Sequence, residues 1–421
     1  MSATARLLLA LLAGAVIGLM LASVDPTLAV RVADAVQPVG RLWLNALQMT
    51  VVPLVLSLIV VSVTSTSAAA SSGRIARRAF VVFLALLSGA ATFAAIAAPA
   101  LLSLFARDPA LTAALDQAAA APGAPAASAS WADALVAIIP GNAIAAAAQG
   151  AMLPLVVFAL FLGFALTRIE AGRRAQMVGL FQALADAMIV IVRWVLWWAP
   201  LGVFALILAV CARAGLSTLS ALGIYILLQC VLSLTVTLAM LPVAMLWGGE
   251  RLRRFAAGIL PAQAVAASTQ SSLASLPAML DSAQRRLGYP PRVAALVLPM
   301  AVSLFRITSP MSYVIAASFI AWVYGIDLSA SQLATGAALA VVMSLGSVGL
   351  PGTVSFMATH TPVAQAMGLP IAPLGLLMAV DTIPDVFATV GNVTADLTAT
   401  SVVAKQSTQQ ADDAIPAEPP T

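Results

Sequence analysis

Near the C-terminus of this 421-residue chain, three acids, a hydroxyl and an amide recur at three- and four-residue spacing: Asp381, Asp385, Thr389, Asn392 and Asp396. At 100° per residue they fall within an arc of about 80°, so one helix face would carry all five. The run around them is otherwise apolar, and ionisable groups in such a run normally face a cavity or a partner. Small polar groups can also hold packed helices together by hydrogen bonds. That role suits Thr389 and Asn392 but accounts poorly for three acids. A pathway for a cation or a charged solute accounts for the whole set.

Composition says what must position them. Hydrophobic residues make up 62% of the chain, charged residues 9%, and mean hydropathy is +1.04. A soluble protein of this size needs far more charge on its surface. Apolar runs predict spans at 7–24, 42–67, 79–106, 131–167, 180–213, 219–247, 293–324 and 371–398, near or above the roughly 20 residues that cross a bilayer. The first run alone could be a cleaved signal peptide; its repetition along the chain favours a spanning helix. With the N-terminus inside, Arg74, Arg77, Arg78, Arg168, Arg173, Arg174, Arg251, Arg253, Arg254, Arg285, Arg286 and Arg292 fall in cytoplasmic loops. The opposite loops hold Asp25, Asp34, Asp108, Asp116, a lone Arg213 and Asp327. This is the positive-inside pattern, and it explains a pI near 9.6 without nucleic acid. The Ala/Pro-rich segment 109–130 reads as a flexible external loop and the polar tail as disordered. Cys211 and Cys230 have neither metal-ligand nor redox spacing.

Two apolar stretches, about 255–285 and 333–368, are broken by Gly, Pro and Ser. In the first, SSLASLPA (271–278) carries hydroxyls and then Pro277; in the second, SLGSVGLPG (344–352) carries three glycines and Pro351. Neither is expected to cross as one helix. Irregular backbone at that depth is tolerated when packed in protein or lining a cavity, and paired interruptions point to a transporter site. Amides at half-helix N-termini would then be ready for a carboxylate. Between them lies LPMAVSLFRITSPMSY (298–313) with Arg306, where Pro310 is expected to break the helix one turn later. A buried Arg needs acids or carbonyls, and Asp381 and Asp385 are the candidates. That pairing can be purely structural or can also touch a solute. His360, the one histidine, reads as a surface or packing residue rather than a proton carrier. Trp194, Trp197 and Trp198 read as an interfacial belt.

These residues together resemble the dicarboxylate/amino acid:cation symporters, the glutamate-transporter homologues. LQMTVVPLVLSLIVVSV (47–63), IIPGNAIAAAAQGAMLPLVVFALFLGFAL (138–166) and WWAPLGVFALI (197–207) are similar to signatures of spans two, four and five. SSLASLP resembles hairpin one, SVGLPG the tip of hairpin two, and DTIPDVFATVGNVTADLT (381–398) span eight. The resemblance implies an all-α polytopic membrane protein of eight transmembrane helices plus two re-entrant helical hairpins, an elevator fold in a homotrimer. The implied division is scaffold 1–78, span three with its external loop 79–130, spans four to six 131–250, transport core 251–403 and a disordered cytoplasmic tail 404–421.

Carried over by position, the resemblance implies that Asp385 holds a substrate amino group and Asn392 its α-carboxylate. Main chain at Ser271 and Ser272 and at Gly349, Leu350, Pro351 and Gly352 would assist, with Thr389 in contact range; Arg306, which the resemblance does not supply, could stand in for a missing substrate-side Arg or neutralise Asp385. Asp396 and Asn392 match a sodium site, Ser344 and Ser347 lie near another, and Asp381 joins this cation-site remnant. The departures are Ala388 and Gln270, which stand where members place an Arg for an acidic side chain. The span-seven motif Asn-Met-Asp-Gly-Thr aligns with Phe305-Arg306-Ile307-Thr308-Ser309, so an amide and an acid for sodium are gone.

The function expected is secondary active transport of a small amino acid or dicarboxylate across the inner (plasma) membrane. Both termini would be cytoplasmic, and sodium coupling reduced or absent, leaving uncoupled or proton-coupled movement. A substrate-gated anion channel or non-transporting sensor on the same fold is the alternative. No enzyme, organic cofactor, confident metal site or nucleic-acid partner is expected; the coupling ion would be Na+ or H+. The partners expected are a small-molecule substrate, the lipid bilayer and two further copies of the chain.

Overall fold

In a bilayer core, backbone N–H and C=O groups must bond to one another, which leaves helices as the economical solution for apolar runs. The computed structural model describes residues 3–71, 74–106, 139–214, 216–346 and 352–413, and among them every regular element is helical. Among the described residues, six stretches are long and apolar enough to cross a membrane: Pro26–Val61, Arg74–Leu102, Ala171–Trp197, Thr218–Leu246, Pro291–Tyr324 and Thr382–Gln406. Shorter apolar helices include Leu9–Val24, Met152–Leu166, Ala199–Arg213 and Ala330–Leu345. The expected external loop, 109–130, lies outside the described residues.

The chain forms two compact units. The first joins Met1–Thr64, Ala91–Cys230 and Pro310–Pro384; the second joins Ser65–Ala90, Val231–Ser309 and Asp385–Thr421.

The first unit opens with α1 (Ala3–Val24), α2 (Pro26–Gln48) and α3 (Val51–Ser71). Asp34 was expected in a loop but sits inside α2, where it pairs with Arg213. The helix starts early because Asp25 caps it: its carboxylate accepts from Thr27 N at 2.9 Å and Leu28 N at 3.1 Å, and Pro26 occupies the first turn. The Thr27 hydroxyl, then the Leu28 N–H, hold the Asp25 carboxyl below the usual carboxylate range. Ala29 and Ala33 of α2 meet Ala209 and Ala212 of α8 (Ala199–Ala214), small residues that let the backbones approach.

After α4 (Arg74–Leu102) come α5 (Ala143–Ala148), α6 (Met152–Leu166) and α7 (Ala171–Trp197). The expected span 180–213 is two helices, α7 and α8, because Pro200 lacks the N–H that would continue the ladder through Trp198. Trp194, Trp197 and Trp198 are exposed, as residues of an aromatic belt would be.

The long α9 (Leu216–Leu246) leads to α10 (Leu252–Thr269) and α11 (Ser272–Asp281), which pack on each other as a hairpin. The interruption falls at Gln270, whose φ of 51° is left-handed, and not at Pro277, which lies inside α11. A π turn, Ser282–Arg286, extends α11. Then α12 (Pro291–Leu304) and α13 (Thr308–Tyr324) are separated by Phe305–Ile307. Pro310 therefore does not break the helix; it sits in the first turn of α13, where a missing N–H is harmless. A second pair, α14 (Ala330–Gly346) and α15 (Gly352–Ala366), pack together, and 347–351 between them lie outside the described residues.

The C-terminal stretch is α16 (Leu374–Val380) and α17 (Thr382–Asp413). Asp381 lies at the turn between them, so the expected single face starts at Asp385. Pro384 is the cause: it lacks the N–H that would bond to the Val380 carbonyl. At the other end α17 runs to Asp413, so 404–413, expected to be disordered, are helical; 414–421 lie outside the described residues.

Candidate functional site

Asp385, Thr389, Asn392 and Asp396 all lie on α17 within the second unit, facing one way by helical spacing. The break between α12 and α13 is fastened to that face. Thr308 donates from its N–H to Asn392 Oδ1 at 3.0 Å and from its hydroxyl to the same oxygen at 2.9 Å, with the Ala388 carbonyl 3.3 Å away. The bond from an N–H fixes the amide's orientation, because only its oxygen can accept. Gly391 makes the approach possible: a Cβ there would lie 2.8 Å from Thr237 Oγ1 and 2.9 Å from Thr308 Cγ2.

That arrangement leaves buried polar atoms without hydrogen-bond partners among the described residues. Asn392 is 1% exposed and its Nδ2 has none; Asp396 is 0% exposed and neither carboxylate oxygen has one among the described residues. Buried polar groups are nearly always satisfied. The same lack is found at Ser57, Ser282, Tyr289, Ser318 and Thr361, so what sets this place apart is two such residues one helical turn apart on the acid-bearing face of α17. Arg306 lies in the break, within electrostatic reach of Asp385 and Asp396 on the facing helix. Thr389 is buried and returns its proton to the Asp385 carbonyl at 2.8 Å. Gln263 of α10 donates to Thr394 Oγ1 at 2.8 Å, tying the first hairpin to α17.

Ser271 caps α11, its hydroxyl accepting from Ala274 N at 3.2 Å. Ser272 and Leu273 supply first-turn N–H groups, which a helix start leaves free of partners within the helix. Around Phe305 the break offers little to a hard cation, which wants several oxygens. Phe305 and Ile307 are buried without side-chain oxygens, and Phe83 stacks on Phe305 at 4.7 Å with planes 6° apart. The residues present do not fit a sodium ion there.

Other expected site residues fall elsewhere. Ser344 is buried near the end of α14, and Asp381 lies in the first unit near Tyr225. Ser347, Gly349, Leu350 and Pro351 lie outside the described residues, as does any side-chain environment at Gly352. Sequence reasoning gave no role to Thr308, Gln263 or Phe83. Thr308 was findable as the hydroxyl next to an Arg-bearing break, and Gln263 as a lone amide in an apolar helix; Phe83 carries no such signal.

The first unit holds a second buried polar cluster. Gln229 Nε2 donates to Tyr225 Oη at 3.0 Å and Ser312 Oγ at 2.9 Å, and Ser312 Oγ lies 3.4 Å from His360 Nε2. His360 Nδ1 faces the Phe356 carbonyl at 2.8 Å, so that nitrogen carries the proton. The ring stacks on Phe356 at 3.7 Å and meets the edge of Tyr313 at 4.7 Å. His360 is a packing residue, and a buried one.

Comparison with known proteins gives the family. The family model of the sodium:dicarboxylate symporter family matches residues 3–406. The chain is 29% identical over 383 residues to the proton/glutamate-aspartate symporter of Escherichia coli K12, covering 89% of this chain and 86% of the relative. It is 29% identical over 386 residues to the proton/sodium-glutamate symport protein of Bacillus caldotenax, covering 89% and 88%. The human neutral amino acid transporter A is 30% identical over 248 residues, 58% of this chain and 46% of that protein. These relatives are transporters, not enzymes. With a match over nearly its whole length and apolar helices to fit, the chain is a multi-pass membrane protein and secondary transporter belonging to the sodium:dicarboxylate symporter family.

Proposed function

We propose that this transporter moves a small amino acid or dicarboxylate across the plasma membrane with reduced or absent sodium coupling. The observation that carries the reading is a pair of buried groups without hydrogen-bond partners among the described residues, Asn392 Nδ2 and the Asp396 carboxylate, on the helix face that also bears Asp385. Asp385 accepts a substrate ammonium, and Asn392 donates to its carboxylate. The N–H groups at Ser272 and Leu273 add to the carboxylate grip, with Ser271 holding the turn. Thr389 completes the wall. Asp396 belongs to what remains of a cation pathway, and Phe305 and Ile307, which add no side-chain oxygen, support its reduction.

The fold proposed is eight membrane-crossing segments with two re-entrant hairpins, in a homotrimer with cytoplasmic termini. Residues 1–78 and most of 131–250 form a scaffold, and 251–403 form the core of a domain that carries substrate as an elevator. Names of relatives support two substrate classes, glutamate or aspartate and neutral amino acids. Ala388 and Gln270, which offer no cation to an acidic side chain, favour the neutral class unless Arg306 serves instead.

Purified protein in liposomes tests this with labelled L-aspartate, L-glutamate, L-alanine, L-serine and succinate. The expected result is accumulation of one or more of them without a sodium gradient. Uptake that strictly required more than one sodium per substrate would refute the coupling, and no solute accumulation under any ion gradient would favour a channel or sensor.

A further inference from the structure

One end of the second unit gathers arginines from segments far apart in sequence. We infer that this basic end is a docking surface for anionic phospholipid headgroups of the surrounding bilayer. It is built from other residues than the transport site proposed above.

The arginines meet because the fold brings several turns together. Arg251 caps α10 and Arg253 and Arg254 lie in its first turn, Arg285 and Arg286 close the π turn, and Arg292 opens α12. Both α10 and α12 pack on the π turn. Arg254 Nη2 donates to the Leu287 carbonyl at 2.6 Å, fastening the first group to the second. Lys405 of α17 comes in beside the turn that precedes α10, where a Cβ at Gly249 would lie 3.1 Å from Lys405 Cδ. Next to it, Arg78 of α4 donates from Nη1 to the Gln406 carbonyl at 2.8 Å. All of these residues belong to the second unit. Acids at this end are few. Asp281 pairs with Arg285 at 3.2 Å, Glu250 precedes Arg251, and Asp412 and Asp413 end α17 about two turns past Lys405. Arg251, Arg253, Arg286 and Arg292 are exposed and form no salt bridge among the described residues.

Membrane insertion asks for basic residues in each short loop separately, and does not require those loops to converge once the chain has folded. Convergence adds a shared positive field, which repels itself and is offset by anions from outside. Exposed apolar side chains beside the arginines say which anions. Leu246 and Trp247 at the end of α9, and Leu252 and Leu260 of α10, are all exposed. An arginine stem lies along such a surface while its guanidinium stays at the water boundary, and tryptophan favours the same depth. A headgroup phosphate sits at that boundary with acyl chains to cover the leucines, whereas free phosphate has nothing to offer them. Clusters of about four to eight basic residues next to a membrane helix recognise anionic lipid in this way.

Thermal unfolding of the full chain in a neutral detergent tests this with dioctanoyl phosphatidylglycerol, dioctanoyl phosphatidylcholine and inorganic phosphate at matched concentrations. Phosphatidylglycerol is expected to raise the melting temperature by a few degrees, as a ligand selective for the folded state does, and more so at low salt than at high. Phosphatidylcholine and inorganic phosphate are expected to leave it unchanged. The triple variant Arg251→Gln, Arg253→Gln, Arg286→Gln is expected to lose the shift while melting like wild type without lipid. The same three positions changed to Lys are expected to keep most of it, because attraction to the headgroup follows charge. Arg168→Gln, Arg173→Gln, Arg174→Gln removes equal charge from the first unit and is expected to keep the full shift. Folding of each variant is checked by elution as a single species and a cooperative melt. If the first triple variant folds poorly, Arg286→Gln with Arg292→Gln supplies the same test. A wild type silent to phosphatidylglycerol, or stabilised equally by inorganic phosphate, would overturn the lipid assignment. A shift kept by the second-unit variant, or lost as fully in the first-unit variant, would overturn its assignment to this surface. Each of these results leaves the transport reading to be tested by solute uptake.

Discussion

Two buried polar clusters in this protein show opposite bookkeeping. Around His360 in the first unit, Gln229 spends its amide protons on Tyr225 and Ser312, and the imidazole donates to the Phe356 carbonyl. Around Asn392 in the second unit, the amide oxygen accepts two bonds while the amide nitrogen and the Asp396 carboxylate have none. The first pattern is how a protein fastens helices where water is absent. The second is what a site looks like when the missing partner arrives from outside. Burial alone does not separate the two, since Gln229, His360, Asn392 and Asp396 are all buried. The hydrogen bonds of these four side chains do, although Ser318, Thr361 and Gln365 of the first unit also carry a buried oxygen without a partner among the described residues.

The contrast can be broken in order of expected effect. Asp385→Asn removes the proposed acceptor for a substrate ammonium, and hydrogen bonds to charged groups contribute about 1.5–3 kcal/mol. Equilibrium binding of the transported solute should weaken about 10- to 100-fold, with the unliganded melting temperature little changed. Asn392→Ala strands the buried Thr308 N–H as well, so its loss should include stability, about 1–3 kcal/mol in a thermal or denaturant melt. Gly391→Ala probes the close approach that assembles the site. Overpacking against Thr237 and Thr308 should cost about 1–3 kcal/mol and slow uptake without abolishing ligand response. Gln229→Ala in the satisfied cluster should cost about 1 kcal/mol of stability and leave solute affinity and ion dependence untouched. If it changed ion dependence, the division between fastening and binding clusters would fail.

The smallest effect expected is at Asp25, far from both clusters. Its folded carboxyl is held below the ordinary range, so the capping contribution is present above the unfolded value and fades as pH falls through the lowered folded one. Asp25→Ala should lower the melting temperature slightly at neutral pH, with the difference from wild type closing in acid.

Much of the site was legible in the sequence because helical spacing is rigid. Asp385, Thr389, Asn392 and Asp396 had to share a face once an apolar run of that length was read as a helix. Where the helices break was harder to read, because proline acts through the bond it removes rather than at its own position. Pro384 ends the face before Asp385 by denying a donor to Val380, whereas Pro310 and Pro277 are absorbed within helices. The hairpin turn at Gln270 is a left-handed residue with no glycine to announce it. Contacts across the fold were least legible. That Thr308 would occupy the amide oxygen of Asn392, or Phe83 stack on Phe305, depends on packing between segments far apart in sequence.

The most direct test of the central claim is a ligand-induced melting shift measured side by side in three proteins: wild type, Asp385→Asn and Gln229→Ala. L-aspartate, L-glutamate, L-alanine, L-serine and succinate would each be added at saturating concentration. The account predicts that any solute stabilising the wild type also stabilises Gln229→Ala and fails to stabilise Asp385→Asn. A solute shift kept in Asp385→Asn and lost in Gln229→Ala would contradict it and place binding at the His360 cluster.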